Sequence, residues 1–169
     1  IVGGADASER IADHLREGQA VTVQVTKDPL GSKGARVTSQ LSVASRYLVY
    51  MPQTQHVGVS QRIDDAEERA RLQEVLANAL EAEEMDEAGG FILRTAAEGA
   101  GPAEIAQDLR FLKRLWAAVS RRAAAAREPQ LLYEDLPLHL RTVRDLARPG
   151  VERIRIDSRE NYEALKRFC

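Results

Sequence analysis

Between Pro102 and Arg127 the apolar residues Ile105, Leu109, Leu112, Trp116 and Val119 recur at steps of three and four. That period puts them on one face of a helix, so the fold must bury one long stripe. Pro102 suits the first helical position, where its missing N–H is no loss. Other parts of the chain carry the period of a strand. Val21, Val23 and Val25 alternate with Thr22 and Gln24, which predicts a half-buried strand over 20–25. The run from Lys27 through Pro29, Gly31 and Lys33 to Gly34 then reads as a turn. Val37 to Val43 reads as the returning strand, and Tyr47 to Met51 as another that Pro52 stops.

A loop over 52–63 leads to a predicted helix over 64–84, whose acidic first turn complements a helix N-terminus. Gly89-Gly90 precede a strand over 91–95, and Pro129 breaks the long helix. A further helix is expected over 136–147, ended by Pro149-Gly150. A strand over 151–157 and a helix over 160–168 complete the reading. The early part is all-β, and after about residue 40 strands and helices alternate, so the fold class is mixed α+β and α/β. Boundaries are expected near residue 40 and near 130–136.

The 169 residues are 44% hydrophobic and 30% charged, a composition that buries a core and is not that of a disordered tail. The single cysteine, Cys169, excludes an internal disulfide or a cysteine metal site and suits a reducing compartment. No run approaches the ~20 apolar residues of a membrane span. The chain lacks an initiator methionine and stops at KRFC, so a piece of a longer protein is expected. Net charge is −2, yet acids dominate 64–87 whereas 110–127 carry only basic charges. A neutral sum can conceal a basic surface that attracts a phosphate backbone. An ordinary solvated helix face reads the same way.

The opening IVGG resembles the mature N-terminus of trypsin-like proteases, but no histidine, aspartate and serine follow in matching contexts. His14, His56 and His139 share no ligand spacing with acids. Glu134, Asp135 and Asp157 lie near element ends, where catalytic acids occur but where capping acids are common too. Two places remain for a phosphate. Lys27 and Lys33 flank a Gly-containing turn of the kind that small barrels use to track nucleic acid; turns also favour lysine for solubility. Arg94 and Thr95 leave a strand for a turn of small residues, Ala96, Ala97 and Gly99. A guanidinium fork and a hydroxyl there would meet a single phosphate, with the helix start at Pro102 adding partial positive charge. The competing reading pairs Arg94 with Glu98 or with the acidic helix before it.

These residues belong to a wider pattern. VQVTKDPLGSKGARVTSQLS, SRYLVYMP, HVGVSQRI, GGFILRTAAEGA and VERIRIDSRENYEALKRF, in this order, resemble the bacterial ribonuclease E/G family across nearly the whole chain from about Gly18. Ser45 before Arg46 and Gln61 before Arg62 look like the G branch; Glu81 to Ala88 looks slightly long. The resemblance implies terminal strands of an S1 (OB-type) β-barrel over 1–40 and a 5′-sensor domain over 41–135. Part of an RNase H-like domain, structural in this family, would follow over 136–169. It implies that Arg94 and Thr95 grip the 5′-monophosphate of RNA and that Val49 contributes through its backbone. Arg62 would lie beside that pocket, and Lys33 and Lys27 would face RNA at the S1 edge. Gln61 stands where the E branch has an arginine.

The implied activity is that of a single-strand-specific endoribonuclease in RNA processing, decay and rRNA maturation, homo-oligomeric, cytoplasmic and not bound to membrane. Its catalytic Mg²⁺ would be held by aspartates of a DNase I-like domain beyond this chain, with the zinc-link cysteines further on. The present residues are therefore expected to bind no metal and to be inactive alone. Two rivals stand beside this. One is a non-catalytic RNA-binding or scaffold protein of the same fold. The other is a working RNase H-like nuclease using Asp157 with Glu134 or Asp135.

Overall fold

In a computed structural model, residues 10–85, 89–147 and 150–168 are described. The IVGG start, Pro149 and Cys169 fall outside them, as does the end of the stretch 81–88. The elements run α1 (Ile11–His14), β1 (Gln24–Lys27), β2 (Arg36–Thr38), β3 (Val43–Ala44), β4 (Leu48–Met51), β5 (Val57–Val59), α2 (Ala66–Ala82), β6 (Gly90–Leu93), α3 (Pro102–Ala125), α4 (Leu138–Leu146) and α5 (Arg159–Phe168). The chain divides into two compact units, Ile1–Gln130 and Leu131–Cys169.

The first unit is built on a four-stranded sheet in the order β3-β4-β6-β5. β4 is antiparallel to both β3 and β6, whereas β5 is parallel to β6 and reaches it through the crossover helix α2. Strand alternation sends Leu48 and Tyr50 of β4 and Phe91 and Leu93 of β6 into the core. Leu72, Leu76 and Leu80 of α2 and Ile105, Leu109, Leu112 and Val119 of α3 meet them there. The stripe read from the sequence is thus the buried face of α3. Trp116 packs edge-on to Tyr50 at 5.9 Å, and Tyr50 lies 4.9 Å from Phe91. α2 starts where Asp65 accepts from the Glu67 N–H at 3.0 Å.

β5 falls inside the stretch predicted as a loop. Three residues with Gly58 in the middle carry too little alternation to announce a strand; the pairing comes from β6. That approach is why Gly90 has no side chain: an added Cβ would strike Thr54 Oγ1 and stand 2.6 Å from the His56 carbonyl.

Two other expectations need correction. Val21, Val23 and Val25 are 43%, 46% and 56% exposed rather than half-buried. The strand begins only at Gln24 and pairs with β2 alone, with a bulge between Val25 and Lys27. A two-stranded ribbon offers no second layer to bury an apolar face. The returning strand is also split. β2 ends at Thr38, whose hydroxyl accepts the Gln40 N–H at 3.1 Å, and the chain re-enters extended structure in the other sheet at Val43.

In the second unit α4 and α5 enclose, with residues 154–156, a cavity of about 390 Å³ floored by Leu165. The predicted strand over 151–157 is extended chain without a ladder partner among the described residues. Val151 and Ile154 are about half exposed. Alternation alone cannot satisfy the backbone groups of a strand that has no neighbour.

Candidate functional site

Arg94 stands where β6 leaves the sheet, its N–H donating to the Tyr47 carbonyl at 2.7 Å. Thr95–Ala97 then form a single 3-10 turn. Beside it the loop after β5 is stitched to the same strand end, the Ser60 N–H donating to the Leu93 carbonyl at 2.8 Å. Between them lies a cavity of about 360 Å³, floored by Ile92, Leu93 and Ala96 and rimmed by Ser60, Arg62, Arg94 and Thr95. The Ser60 and Thr95 hydroxyls are 3.1 Å apart. The rim is made of donors and hydroxyls with no carboxylate, the chemistry of an anion site.

The Arg94 fork is held by main chain. Its Nη1 donates to the Ser45 carbonyl at 2.6 Å and to the Arg46 carbonyl at 2.9 Å. These two Nη1 bonds go to peptide oxygens. The turn supplying them is the three-residue connection Ser45–Tyr47 between β3 and β4, closed by the Ser45 N–H on the Leu48 carbonyl at 2.9 Å. From α3, Asp108 Oδ2 accepts from Tyr47 N–H at 2.6 Å and from the Ser45 hydroxyl at 2.7 Å. One turn earlier Glu104 accepts the Tyr47 hydroxyl at 2.8 Å and the Gly101 N–H at 2.9 Å. Glu104 is held below the usual carboxylate range, first by the Gly101 N–H and then by Tyr47. Burial, followed by the bond to Glu104, raises the Tyr47 phenol.

Two more arginines fix the neighbouring loops in the same way. Arg69 Nη1 donates to the Ser60 carbonyl at 2.7 Å and the Ile63 carbonyl at 3.1 Å, setting the loop that carries Arg62. Arg71 donates twice to the Ala100 carbonyl at 3.0 Å and pairs with Glu68 at 2.6 Å. Glu68 also accepts the Gly99 N–H at 2.8 Å. The Arg71 bond, then the Gly99 N–H, hold its carboxyl down at about 2.

The site thus gathers Arg62, Arg94 and Thr95 around one space. Val49 lies in β4 between Ala44 and Ile92, one strand from the cavity floor. Lys27 ends β1, and Lys33 closes a tight turn by donating its N–H to the Leu30 carbonyl at 3.1 Å; both are exposed on the hairpin, apart from the cavity lining. The start of α3 does not line the cavity either, and Glu104 already caps it. Asp135 caps the Leu136 N–H at 2.8 Å and lies 3.6–3.7 Å from Arg144 and Arg141. Among the described residues no three His, Cys, Asp or Glu converge to hold a metal. Sequence reasoning passed over Ser60, Asp108 and Glu104. The only signal for the acids was their i, i+4 spacing on α3 beside the apolar stripe.

Comparison with known proteins settles the lineage: residues 42–169 match the ribonuclease E/G family. The chain belongs to that family. It is 51% identical over 158 residues to ribonuclease G of Escherichia coli strain K12, and 48% identical over 158 to ribonuclease G of Salmonella typhimurium strain SL1344. It is 36% identical over 156 residues to ribonuclease E of Haemophilus influenzae. These alignments cover 94%, 94% and 92% of this chain but 31%, 31% and 16% of the relatives. The chain therefore spans less than a third of the length of the ribonucleases G it matches. No helix among the described residues is long and apolar enough to cross a membrane.

Proposed function

We propose that this chain is the substrate-recognition part of a single-strand-specific endoribonuclease, and that the Arg94 cavity receives the 5′-monophosphate of its RNA. The observation that carries this is the rim of Ser60, Arg62, Arg94 and Thr95, free of carboxylates, over an apolar floor in a ribonuclease E/G family member. A guanidinium fork and a hydroxyl match the oxygens of a terminal phosphate, which carries more charge than an internal phosphodiester. About 360 Å³ suits one phosphate with part of its nucleotide rather than a long groove. Val49 supports the site through its backbone, one strand away, and Lys33 and Lys27 hold RNA further along. The contribution to cleavage is orientation: terminal binding presents the downstream strand to the cutting machinery.

That machinery lies outside this chain in the proposal. The Mg²⁺ expected of the intact enzyme belongs with it. The isolated chain is accordingly inactive, and the whole protein is a cytoplasmic homo-oligomer. The test compares one short single-stranded RNA with a 5′-monophosphate or a 5′-hydroxyl, by fluorescence anisotropy, on the wild type and Arg94→Ala. The wild type should prefer the monophosphate, and Arg94→Ala should lose that preference, about 1.5–3 kcal/mol for charge-assisted bonds. Equal weakening of both ligands would sink the assignment.

A further inference from the structure

Arg94 is aimed by a turn, and the turn is not self-sufficient. Two- and three-residue hairpin connections favour conformations with positive φ at one or more loop residues. None of Ser45, Arg46 and Tyr47 has positive φ; among the described non-glycine residues only Glu84 does. This connection therefore needs support from outside. Asp108 gives it, accepting from the Tyr47 N–H at 2.6 Å and the Ser45 hydroxyl at 2.7 Å. On the opposite side the carbonyls of Ser45, Arg46 and Tyr47 all accept from Arg94, at 2.6, 2.9 and 2.7 Å. The Arg46–Tyr47 peptide group thus runs from a carboxylate at its N–H end to a guanidinium at its C=O end. Each charge polarises bonds that strengthen the other.

Ser45 is the only buried polar residue among the described ones, 2% exposed, and its hydroxyl bond to Asp108 is part-buried. Asp108 itself takes no part in the cavity lining. On the reading that the cavity takes a terminal phosphate, we propose that Asp108 is a positioning residue for 5′-end recognition. It holds the Ser45–Tyr47 turn in the one conformation whose carbonyls fix the plane and direction of the Arg94 fork. A bidentate contact depends on that plane, whereas the attraction of a point charge does not.

The test uses the full 169-residue chain and the same pair of RNAs. Asp108→Ala should weaken monophosphate binding about five- to twentyfold while hydroxyl binding stays within twofold. Asp108→Asn keeps an acceptor oxygen for Tyr47 and Ser45 and should recover most of the preference. Ser45→Ala, which removes one of the two bonds, should fall between. Equal loss for both RNAs, an unchanged Asp108→Ala, or an Asp108→Asn no better than the alanine variant would each overturn the positioning role. Should Asp108→Ala not fold, the Asp108→Asn and Ser45→Ala pair decides on the same preference ratio. A separate readout is the Arg94 side-chain N–H resonance in the free protein. Its resolved, slowly exchanging signals should collapse to a rotationally averaged, fast-exchanging one in Asp108→Ala but not in Asp108→Asn. A wild type without 5′ preference but with this resonance change refutes the phosphate reading alone; an unchanged resonance refutes the positioning alone.

Discussion

Replacing Arg94 by lysine separates the fork from its charge. The ammonium is a point charge with three rotating donors, so it cannot hold the Ser45 and Arg46 carbonyls at 2.6 and 2.9 Å and also present a planar edge to phosphate. If the alanine variant loses the whole charge-assisted contact, lysine should lose about half. That is about 0.75–1.5 kcal/mol, roughly four- to thirteenfold in monophosphate Kd. The net charge is unchanged, so the salt dependence of RNA binding should keep its slope. Stability should fall by about 1 kcal/mol, because one ammonium replaces two fixed bonds in a part-buried place. Anisotropy titrations at three salt concentrations, with a thermal melt of each protein, measure all three quantities. Monophosphate affinity equal to the wild type's would show that charge alone is read. An altered slope with unchanged 5′ preference would show that Arg94 contacts the strand and not its end.

Glu68→Gln tests the clasp on the loop before α3. The carboxyl is depressed from 4.5 to about 2 in the folded protein. Its stabilisation is therefore complete above about 4.5 and is lost as pH falls toward 2. The melting temperatures of wild type and variant should differ at pH 6 and converge near pH 2; a constant gap would contradict this. Leu109→Ala, at a position with no exposure, should cost about 2–5 kcal/mol in urea unfolding. Leu131→Ala, at 75% exposure, should stay within about 0.5 kcal/mol. Gly90→Ala would press a methyl toward the His56 carbonyl, 2.6 Å away, and should destabilise by about 1–3 kcal/mol. An unchanged urea midpoint would show that β5 and β6 can separate without cost.

Where a segment buries one face against a large neighbour, its period was readable. The stripe from Ile105 to Val119, the acid-led helix α2 and the apolar run Phe91–Leu93 all reappear in the sheet-and-helix core. The sequence misled where pairing decides. Val57–Val59 is a strand because β6 lies beside it, and 151–157 is not one because no strand does. Arg94 and Thr95 stood out as phosphate candidates because few side chains suit an oxyanion, and Arg62 came with the family resemblance; all three line one cavity. Asp108 did not stand out, because its role depends on where the Ser45–Tyr47 turn lies in space, 61 to 63 positions back along the chain.

The acceptors that aim Arg94 are main-chain oxygens at three consecutive positions, and no amino-acid replacement there can delete a carbonyl. The identity of Arg46 is therefore a weak determinant of the site, and variation at that position leaves the direction of the guanidinium in place. Length is the strong determinant. One residue inserted between Ser45 and Leu48 rotates every carbonyl of the turn away from Arg94, whatever side chain it carries. Variants of this chain that keep the loop length but differ at its tip should keep the direction of Arg94, whereas a lengthened loop should change it even with Arg94 and Thr95 in place.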